Sequence, residues 1–449
     1  MKHRSLTLPL LLSLLAAPAL ASPPAAARRV VDDLLDQKLE PKEAASSWAE
    51  AKVSPAQALE AIRARKPEPK LAPGLHEVPL KDGRGRESTA FVMVPEKPWK
   101  GGRYRVLVML HGLGGNGKKT FELAASFAPE GTIVIGPTAL KPPSNEGAED
   151  LPDLPWMKPI LKRFPRWWSY RESSFPLAAL RLVERDFPVD TDHVVLIGYS
   201  MGGFGTWNLG LRFHDRFAGA APMAGGISRQ EYVPVGKDQR SRFLLGNARM
   251  LPLFVLHGGQ DEVVPVSFDR WSRDQLSAAG LPFIYEEVPD GKHVMKEQLE
   301  GGKVRDALLE WIGARTRDAH PARVEHHAIG AYHGGAYWLQ VDELAGQQAH
   351  VVAVTKRQRI TVVASGVKKL TVFLDPERLD PKKPVSVVVN GKQLFAGKVA
   401  PSLDAVARSF ARTGDPQLSY AHAVELELPA DLPAPREADF QLGLVRSFK

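Results

Sequence analysis

The sequence predicts an α/β fold: a mostly parallel, doubly wound sheet with an N-terminal helical segment before it and a C-terminal β-sandwich-like domain after it. In the middle of the chain, short apolar runs typical of strands buried on both faces alternate with helical patterns. The chain before them has helical spacing only, and the chain after them has short strands separated by turns. We therefore divide the 449 residues into 1–21, 22–74, 75–318 and 322–449.

Composition narrows the class of protein. Hydrophobic residues make up 44% and charged residues 24%, which is enough for a packed core and argues against general disorder. The formal net charge is +8, but the basic residues are spread along the chain without the basic-aromatic pattern of a nucleic-acid module. There is no cysteine, so disulfides and a lipid-modified N-terminal cysteine are excluded. We predict no nucleic-acid partner and leave the oligomeric state open.

Residues 1–21 have the pattern of a signal peptide. A positive region, Lys2 to Arg4, precedes an apolar stretch, Leu6 to Leu15, and an A-x-A cleavage site at Ala19 to Ala21. The apolar stretch is too short to span a membrane, and no other segment is long enough. The sequence therefore predicts an exported protein, secreted or periplasmic, without a stable membrane span.

The segment 22–74 is predicted to be helical and to end in a linker. Apolar residues recur at helical spacing from Val30 to Leu35, and Ser54 to Gln57 has the pattern of a helix start with a capping box. Lys66 to Lys70 is proline-rich and forms the linker. This segment offers no catalytic candidates, and two interpretations stay open: a cap packed on the body, or a loosely fixed arm.

A glycine-rich loop follows the third predicted strand. His76 to Leu80 and Ser88 to Val94 are predicted to form a hairpin, and Tyr104 to Leu110 the next strand. The loop, His111 to Gly117, lets the backbone approach a ligand closely because glycine has no side chain.

Part of this loop also fits a phosphate-binding motif. Gly112 to Lys118 matches G-x-x-x-x-G-K, in which the next residue should be Ser or Thr to hold magnesium. The next residue is Lys119, and Thr120 comes one position too late. A phosphate-binding loop would also give no role to Ser200, the serine of a later G-x-S-x-G motif. Nucleotide binding is therefore the weaker alternative.

A long segment, 137–175, separates the strand Thr132 to Ile135 from the helix Ser174 to Phe187. A loop of this length in a compact domain is usually functional. Two interpretations stay open: a lid or pocket wall, or a segment packed onto the body by its aromatic residues. Those residues are Trp156, Trp167, Trp168 and Tyr170.

The strongest functional signal is a strand–turn–helix around Ser200. The apolar strand Val194 to Ile197 precedes Gly198, Ser200 and Gly202, which match G-x-S-x-G, and a helix pattern follows. Such a turn holds its central residue in a strained conformation and requires small neighbours. It would expose the hydroxyl of Ser200 at a helix N-terminus, where the amide of Met201 could donate to an oxyanion.

A carboxylate and a histidine follow two later strands. Asp261 comes after the apolar strand Leu253 to Leu256, with Glu262 as its competitor. His293 follows the strand Phe283 to Val288, and Asp290 before it is better explained as a turn residue. The order Ser200, Asp261, His293 places a nucleophile, an acid and a general base each after its own strand.

These motifs carry a resemblance to a known family. His111 to Gly114, Gly198 to Gly203, His257 to Asp261 and His293 resemble the α/β-hydrolase superfamily, in particular exported esterases of the carboxylesterase/phospholipase and polyhydroxybutyrate-depolymerase or feruloyl-esterase types. The resemblance covers about half the chain, residues 75–315. It does not extend to the disulfides of some secreted members, which this chain cannot form.

The resemblance implies roles for individual residues. Ser200, Asp261 and His293 would form a catalytic triad, and the amides of Leu113 and Met201 would form the oxyanion hole. The expected activity is hydrolysis of a small-molecule or polymeric carboxylic ester, without a metal or organic cofactor. Two alternatives remain: a serine peptidase on the same fold, and a catalytically inactive secreted binding protein.

The C-terminal region, 322–449, differs from the preceding domain in its predicted secondary structure. Its short strands predict a small β-sandwich-like domain with a hairpin turn at Asn390-Gly391. Its candidate roles are substrate binding, pairing with another chain and covering the hydrolase edge. The histidines follow no familiar metal-ligand spacing, so a structural role is favoured for them. They are His320, His326, His327 and His333.

Overall fold

We describe the fold from a computed structural model of the chain. The described residues are 24–82, 85–119, 128–140, 167, 170–227, 243–294, 299 and 302–443. The predicted signal peptide lies outside them, as do Trp156 and Trp168 of the long segment. Among the described residues, no helix is long and apolar enough to cross a membrane.

An eight-stranded sheet forms the centre of the molecule. Its spatial order is β1-β2-β4-β3-β5-β6-β7-β8, with β1 and β2 antiparallel to their neighbours and all later pairs parallel. The mostly parallel sheet that the sequence predicts is therefore confirmed. The strands are β1 Gly74–Lys81, β2 Glu87–Val94, β3 Tyr104–Leu110, β4 Thr132–Pro137, β5 Val189–Tyr199, β6 Gly219–Met223, β7 Phe254–Gly258 and β8 Ile284–Val288.

Helices cover both faces of this sheet, so the central strands are buried on both sides. In β5, Leu196 packs in the core on one face and Val195 and Ile197 in the core on the other, all at most 3% exposed. Continuous apolar strands follow from this double burial, because neither face of the strand meets water. The helices packed against the sheet are α4 Tyr170–Asp186, α5 Met201–Arg212, α6 Ser267–Ala278 and α7 Lys303–Gly313.

Three N-terminal helices precede the sheet: α1 Ala25–Leu35, α2 Pro41–Glu50 and α3 Pro55–Arg63. Helix α3 begins at the predicted capping box, where the Ser54 hydroxyl accepts from the Gln57 amide. The three helices share a core with α8 Leu403–Thr413 of the C-terminal region, centred on Trp48 and Phe410. Of the two sequence interpretations, the packed one therefore describes this segment.

The C-terminal region contains two sheets around one hydrophobic core. The first is β10-β11-β14-β17 and the second β16-β15-β13-β12-β9, with only β13 and β15 parallel. The predicted β-rich architecture is confirmed. The strands are β9 Arg323–Ala328, β10 Gly335–Ala336, β11 Leu339–Leu344, β12 Ala349–Lys356, β13 Arg359–Ser365, β14 Val367–Phe373, β15 Val385–Val389, β16 Lys392–Gly397 and β17 Ala423–Glu427.

Candidate active site

Ser200 lies at the turn between β5 and α5. Its φ and ψ are 58° and −120°, a conformation that L-residues rarely adopt and that surrounding structure must enforce. A side chain on Gly198 would collide with the carbonyl oxygen of Gly202, and one on Gly202 with that of Leu110. The two glycines of the motif are therefore required by the close crossing of strand and helix, as the sequence predicts.

The structure brings the three predicted triad residues together. His293 Nε2 lies 2.9 Å from Ser200 Oγ, and His293 Nδ1 lies 2.6 Å from Asp261 Oδ2. Both are hydrogen-bond distances. A base within reach of a nucleophile, itself oriented by a carboxylate, is the arrangement that activates a serine hydroxyl.

Asp261 is more deeply buried than Glu262 and Asp290, the two other carboxylates considered for the triad. It is 7% exposed, and its Oδ1 accepts from the amides of Val263 and Val264 at 2.9 and 2.8 Å. Burial alone would raise its pKa, but hydrogen bonds, first those of His257 and His293, hold it well below the usual range. Glu262 and Asp290 are both exposed, so their carboxylates lie in water.

The two predicted oxyanion donors belong to segments that lie next to Ser200. Met201 is the first residue of α5, where a backbone N–H has no intrahelical acceptor. Leu113 is the second residue of a turn closed by the Gly115 amide on the Gly112 carbonyl, with φ 71° at Gly114. A Cβ on Gly112 would lie 3.5 Å from Ser200 Cβ, so this loop abuts the nucleophile.

A buried histidine that the sequence analysis did not single out secures this loop. His111 Nδ1 lies 2.8 Å from the Gly112 carbonyl, and its Nε2 lies 2.9 Å from the Ala139 amide, which donates to it. Burial lowers the pKa of His111 to about 4, so the ring is neutral and donates through Nδ1. Trp167 donates to the His111 carbonyl at 3.0 Å, which ties one tryptophan of the long segment to the loop.

A second histidine missed by sequence reasoning lies behind Asp261. His257 and Asp269 are both fully buried, and His257 Nδ1 lies 2.7 Å from Asp269 Oδ2. His257 follows an apolar strand, and this position could have drawn attention to it. Asp269 had no such signal, because it lies in α6 where the sequence resembles an ordinary helix surface.

One group of side chains has the composition of a metal site. Ligand atoms of Glu325, His327 and His350 lie within 4.8 Å of one another. The Glu325 carboxylate is already paired with Arg249 Nε at 3.0 Å and with Arg323 at 2.7 Å, and these guanidinium groups oppose a further cation.

The four histidines named from the sequence do not gather around one centre. His320 bonds to Asp375 at 2.9 Å, His326 to the His333 carbonyl at 2.7 Å, and His327 to Glu325 at 3.3 Å. His333 Nε2 accepts from the Ile329 amide at 3.2 Å. Each of them therefore has a structural contact of its own, which agrees with the structural role favoured from the sequence.

Comparison with known proteins finds relatives for part of the chain. Residues 89–300 match the family model of phospholipases and carboxylesterases. An uncharacterized secreted protein of Arthroderma benhamiae is 30% identical over 23% of this chain and 13% of its own length. A lysophospholipase-like protein of Mus musculus is 26% identical over 28% of this chain and 48% of its own length. The chain thus spans less than half the length of these two relatives.

Solved structures of esterases resemble about half of the chain. A ferulic acid esterase from Anaeromyces mucronatus is 15% identical, covers 56% of this chain and 94% of its own, and has a TM-score of 0.41. A thermostable esterase is 21% identical, covers 54% of this chain and 63% of its own, and has a TM-score of 0.37. Residues 89–300 therefore lie in a domain with the α/β-hydrolase fold, and they are similar to the phospholipase/carboxylesterase family.

Proposed function

We propose that the protein is an exported serine hydrolase that cleaves carboxylic esters through an acyl-enzyme. One observation carries the proposal: Ser200, at a strained strand–helix turn, lies within hydrogen-bond distance of His293, which in turn contacts the buried carboxylate of Asp261. In a family of phospholipases and carboxylesterases, this geometry fits attack on an ester carbonyl.

In the proposed mechanism His293 accepts the proton of Ser200 as the hydroxyl attacks the ester carbonyl carbon. The amides of Met201 and Leu113 donate to the oxygen that becomes negative. Asp261 holds the ring so that Nε2 faces the hydroxyl, and it stabilises the imidazolium that forms. The alcohol leaves with the proton from His293.

Water then hydrolyses the acyl-enzyme through the same base. His293 accepts a proton from the water, and the carboxylic acid product leaves as Ser200 regains its own proton. The residues named supply a nucleophile, a base, an acid and oxyanion donors, so the proposed cycle requires neither a metal nor an organic cofactor.

Two other functions from the sequence analysis compete with this proposal. A peptidase would use the same residues, because esters and amides pass through similar tetrahedral intermediates. An inactive binding protein would not require the hydrogen bonds from His293 to both Ser200 and Asp261. The family of phospholipases and carboxylesterases favours ester substrates over both.

Export rests on the sequence pattern of residues 1–21. The relative in Arthroderma benhamiae that is named as secreted fits the same localisation. We further propose that the segments 22–74 and 322–449 flank a catalytic domain of residues 75–318, since all the proposed catalytic groups lie between Leu113 and His293.

Labelling with a fluorophosphonate probe, combined with a substrate panel, tests the proposal. The panel contains p-nitrophenyl esters of increasing chain length, feruloyl esters, polyhydroxybutyrate and peptides. Wild-type protein and the control S277A, which removes an exposed hydroxyl of α6, should label and hydrolyse short esters. S200A should do neither. Labelling that persists in S200A, or cleavage of peptides without esters, would contradict the proposal.

A further inference from the structure

The proposed acid of the triad has a second, buried histidine beside it. His257, at the end of β7, is fully buried, and its Nε2 lies 3.5 Å from Asp261 Oδ2 and 2.9 Å from the Val264 carbonyl oxygen. On the other side of the ring, Nδ1 lies 2.7 Å from Oδ2 of Asp269 in α6. Both ring nitrogens therefore contact oxygen atoms that accept hydrogen bonds.

These contacts determine how many protons the ring carries. A neutral imidazole has one donor nitrogen and one acceptor nitrogen, whereas an imidazolium donates from both. Asp269 Oδ1 accepts from Trp207 Nε1 at 3.0 Å, which leaves Oδ2 to face His257. Burial alone would lower the pKa of His257, but hydrogen bonds to Asp261 and Asp269 raise it to about 10.

The imidazolium adds a positive charge 3.5 Å from Oδ2 of Asp261, while its Nε2–H donates to the Val264 carbonyl oxygen. One carboxylate oxygen accepts from the amides of Val263 and Val264, and the other faces both His293 and His257. A carboxylate that accepts from groups on both oxygens has little freedom to rotate away from His293.

We propose that His257 is a positioning residue of the triad: a permanent buried imidazolium, held by Asp269, that fixes the Asp261 carboxylate in its orientation toward His293. The effect of this role on catalysis rests on the proposed function, whereas the charge of His257 does not depend on it. His257 does not touch the reacting atoms, and it acts through Asp261.

The charge of His257 also bears on the general base. Both imidazole rings face the same oxygen of Asp261, so the positive charge of His257 offsets part of the negative charge that His293 meets there. The other ionisable groups near His293 among the described residues are Tyr199, with ring centroids 5.1 Å apart, and Asp290 and Lys292 of its own loop.

The charge can be tested in the wild-type chain, without a variant that might misfold. Nitrogen-15 NMR of the histidine rings at a pH of about 8, above the usual histidine pKa of about 6.5, should show one ring with protons on both nitrogens. That signal should be missing from H257Q. A spectrum in which His257 carries a single proton would overturn the proposal, whatever the protein hydrolyses.

Steady-state kinetics of H257Q and D269N test the positioning role. Because a carboxylate that turns away misplaces the base, we expect kcat to fall about tenfold to a hundredfold with little change in KM. The acid limb of the kcat/KM profile of H257Q should also move to higher pH, since the proposed base then faces Asp261 without the positive charge of His257 beside it. H326Q is the matched control: it makes the same change at an equally buried histidine outside the site, and should leave kcat and the profile unchanged.

A double-mutant cycle separates positioning from general destabilisation. If His257 acts through Asp261, the loss caused by H257Q should largely disappear in a D261N background. An equal loss in both backgrounds, or an unmoved acid limb in a variant that melts cooperatively, would contradict the positioning role. Failure of the proposed function would appear differently, as a wild-type protein that hydrolyses no ester or an active S200A.

Discussion

Asp415 of the C-terminal region lies 2.6 Å from the guanidinium of Arg317, and the two side chains are 0% and 1% exposed. Asp415 also accepts from the hydroxyl of Thr191 in β5 at 3.1 Å, and Arg317 contacts Asp192 at 2.8 Å. A buried ion pair therefore joins the central sheet to the segment that follows α8.

We expect D415A to destabilise the protein by about 3–5 kcal/mol, because the buried charge of Arg317 then loses its fully buried partner and keeps Asp192, which is 19% exposed. The free energy of unfolding from urea titration measures this. D431A is the control, since Asp431 is 77% exposed and its pair with Lys392 spans 3.6 Å. It should change stability by about 0.5 kcal/mol or less. Equal effects of the two substitutions on the free energy of unfolding would show that the buried ion pair stabilises the protein no more than the exposed one.

A shortened chain of residues 70–320 should label with a fluorophosphonate but melt at a lower temperature than the mature chain. It keeps the proposed catalytic groups and Arg317, but it lacks Asp415 and the outer segments. Differential scanning calorimetry and labelling of the same preparation provide both measurements, with a cooperative melt as the condition for comparison. A folded short chain that does not label would mean that an outer segment completes the site.

Asp261→Asn should lower kcat by several orders of magnitude, since an amide in place of a triad acid stabilises the wrong histidine tautomer and costs about 10⁴ in a comparable enzyme. E262Q and D290N make similar changes at exposed carboxylates on either side of the site, and they should retain most of the wild-type kcat. Steady-state kinetics on a short ester distinguishes the three. A larger loss in D290N than in D261N would move the acid to Asp290.

His111→Ala should lower kcat about a hundredfold on a short ester, because displacing one oxyanion donor typically costs about 10²–10³. The substitution removes the contacts from the ring to the Gly112 carbonyl and the Ala139 amide, so the Leu113 amide loses its fixed place. H76A, on strand β1 at the edge of the sheet, is the control. An unchanged kcat in H111A would show that the loop is held by other contacts.

Stability should decline as the pH falls from about 6.5 toward about 4. Burial lowers the pKa of His214 to about 3 and that of His326 to about 4, and their rings lie 3.0 Å apart at Nε2 and Nδ1. The unfolded chain binds protons near the usual pKa of about 6.5, so the contribution of these neutral rings is full above that pH and is lost on acidification. Urea midpoints measured across this range test it. A slope in H326Q as steep as in the wild type would point to other groups.

The candidate site was predictable because each of its three side chains follows a predicted strand. Polar residues at the carboxyl ends of parallel strands meet at one edge of the sheet, so Ser200, Asp261 and His293 could be placed without coordinates. The buried pair of His257 and Asp269, which contacts Asp261, could not be predicted in this way. Asp269 lies on a helix, and only the folded structure shows that it meets His257.

Two elements outside the site also escaped prediction, each for a physical reason. Strand β9 carries Glu325 and adjacent histidines, which disrupt the apolar pattern, yet Glu325 is buried because Arg249 and Arg323 pair with it. Helix α8 has an N-cap at Ser402 and a left-handed glycine after its end, but its sequence gives no sign that its apolar face packs against helices far earlier in the chain.

The shared core of α1, α2, α3 and α8 has a consequence for the order of folding. Val31 and Trp48 bury their side chains together with Val406 and Phe410, which are synthesised more than 300 residues later. Contacts this distant in sequence form slowly, because a long loop must close before they contribute any stability. The core of the three N-terminal helices therefore cannot be completed until the last part of the chain is available. In an exported protein this core would be completed only after translocation.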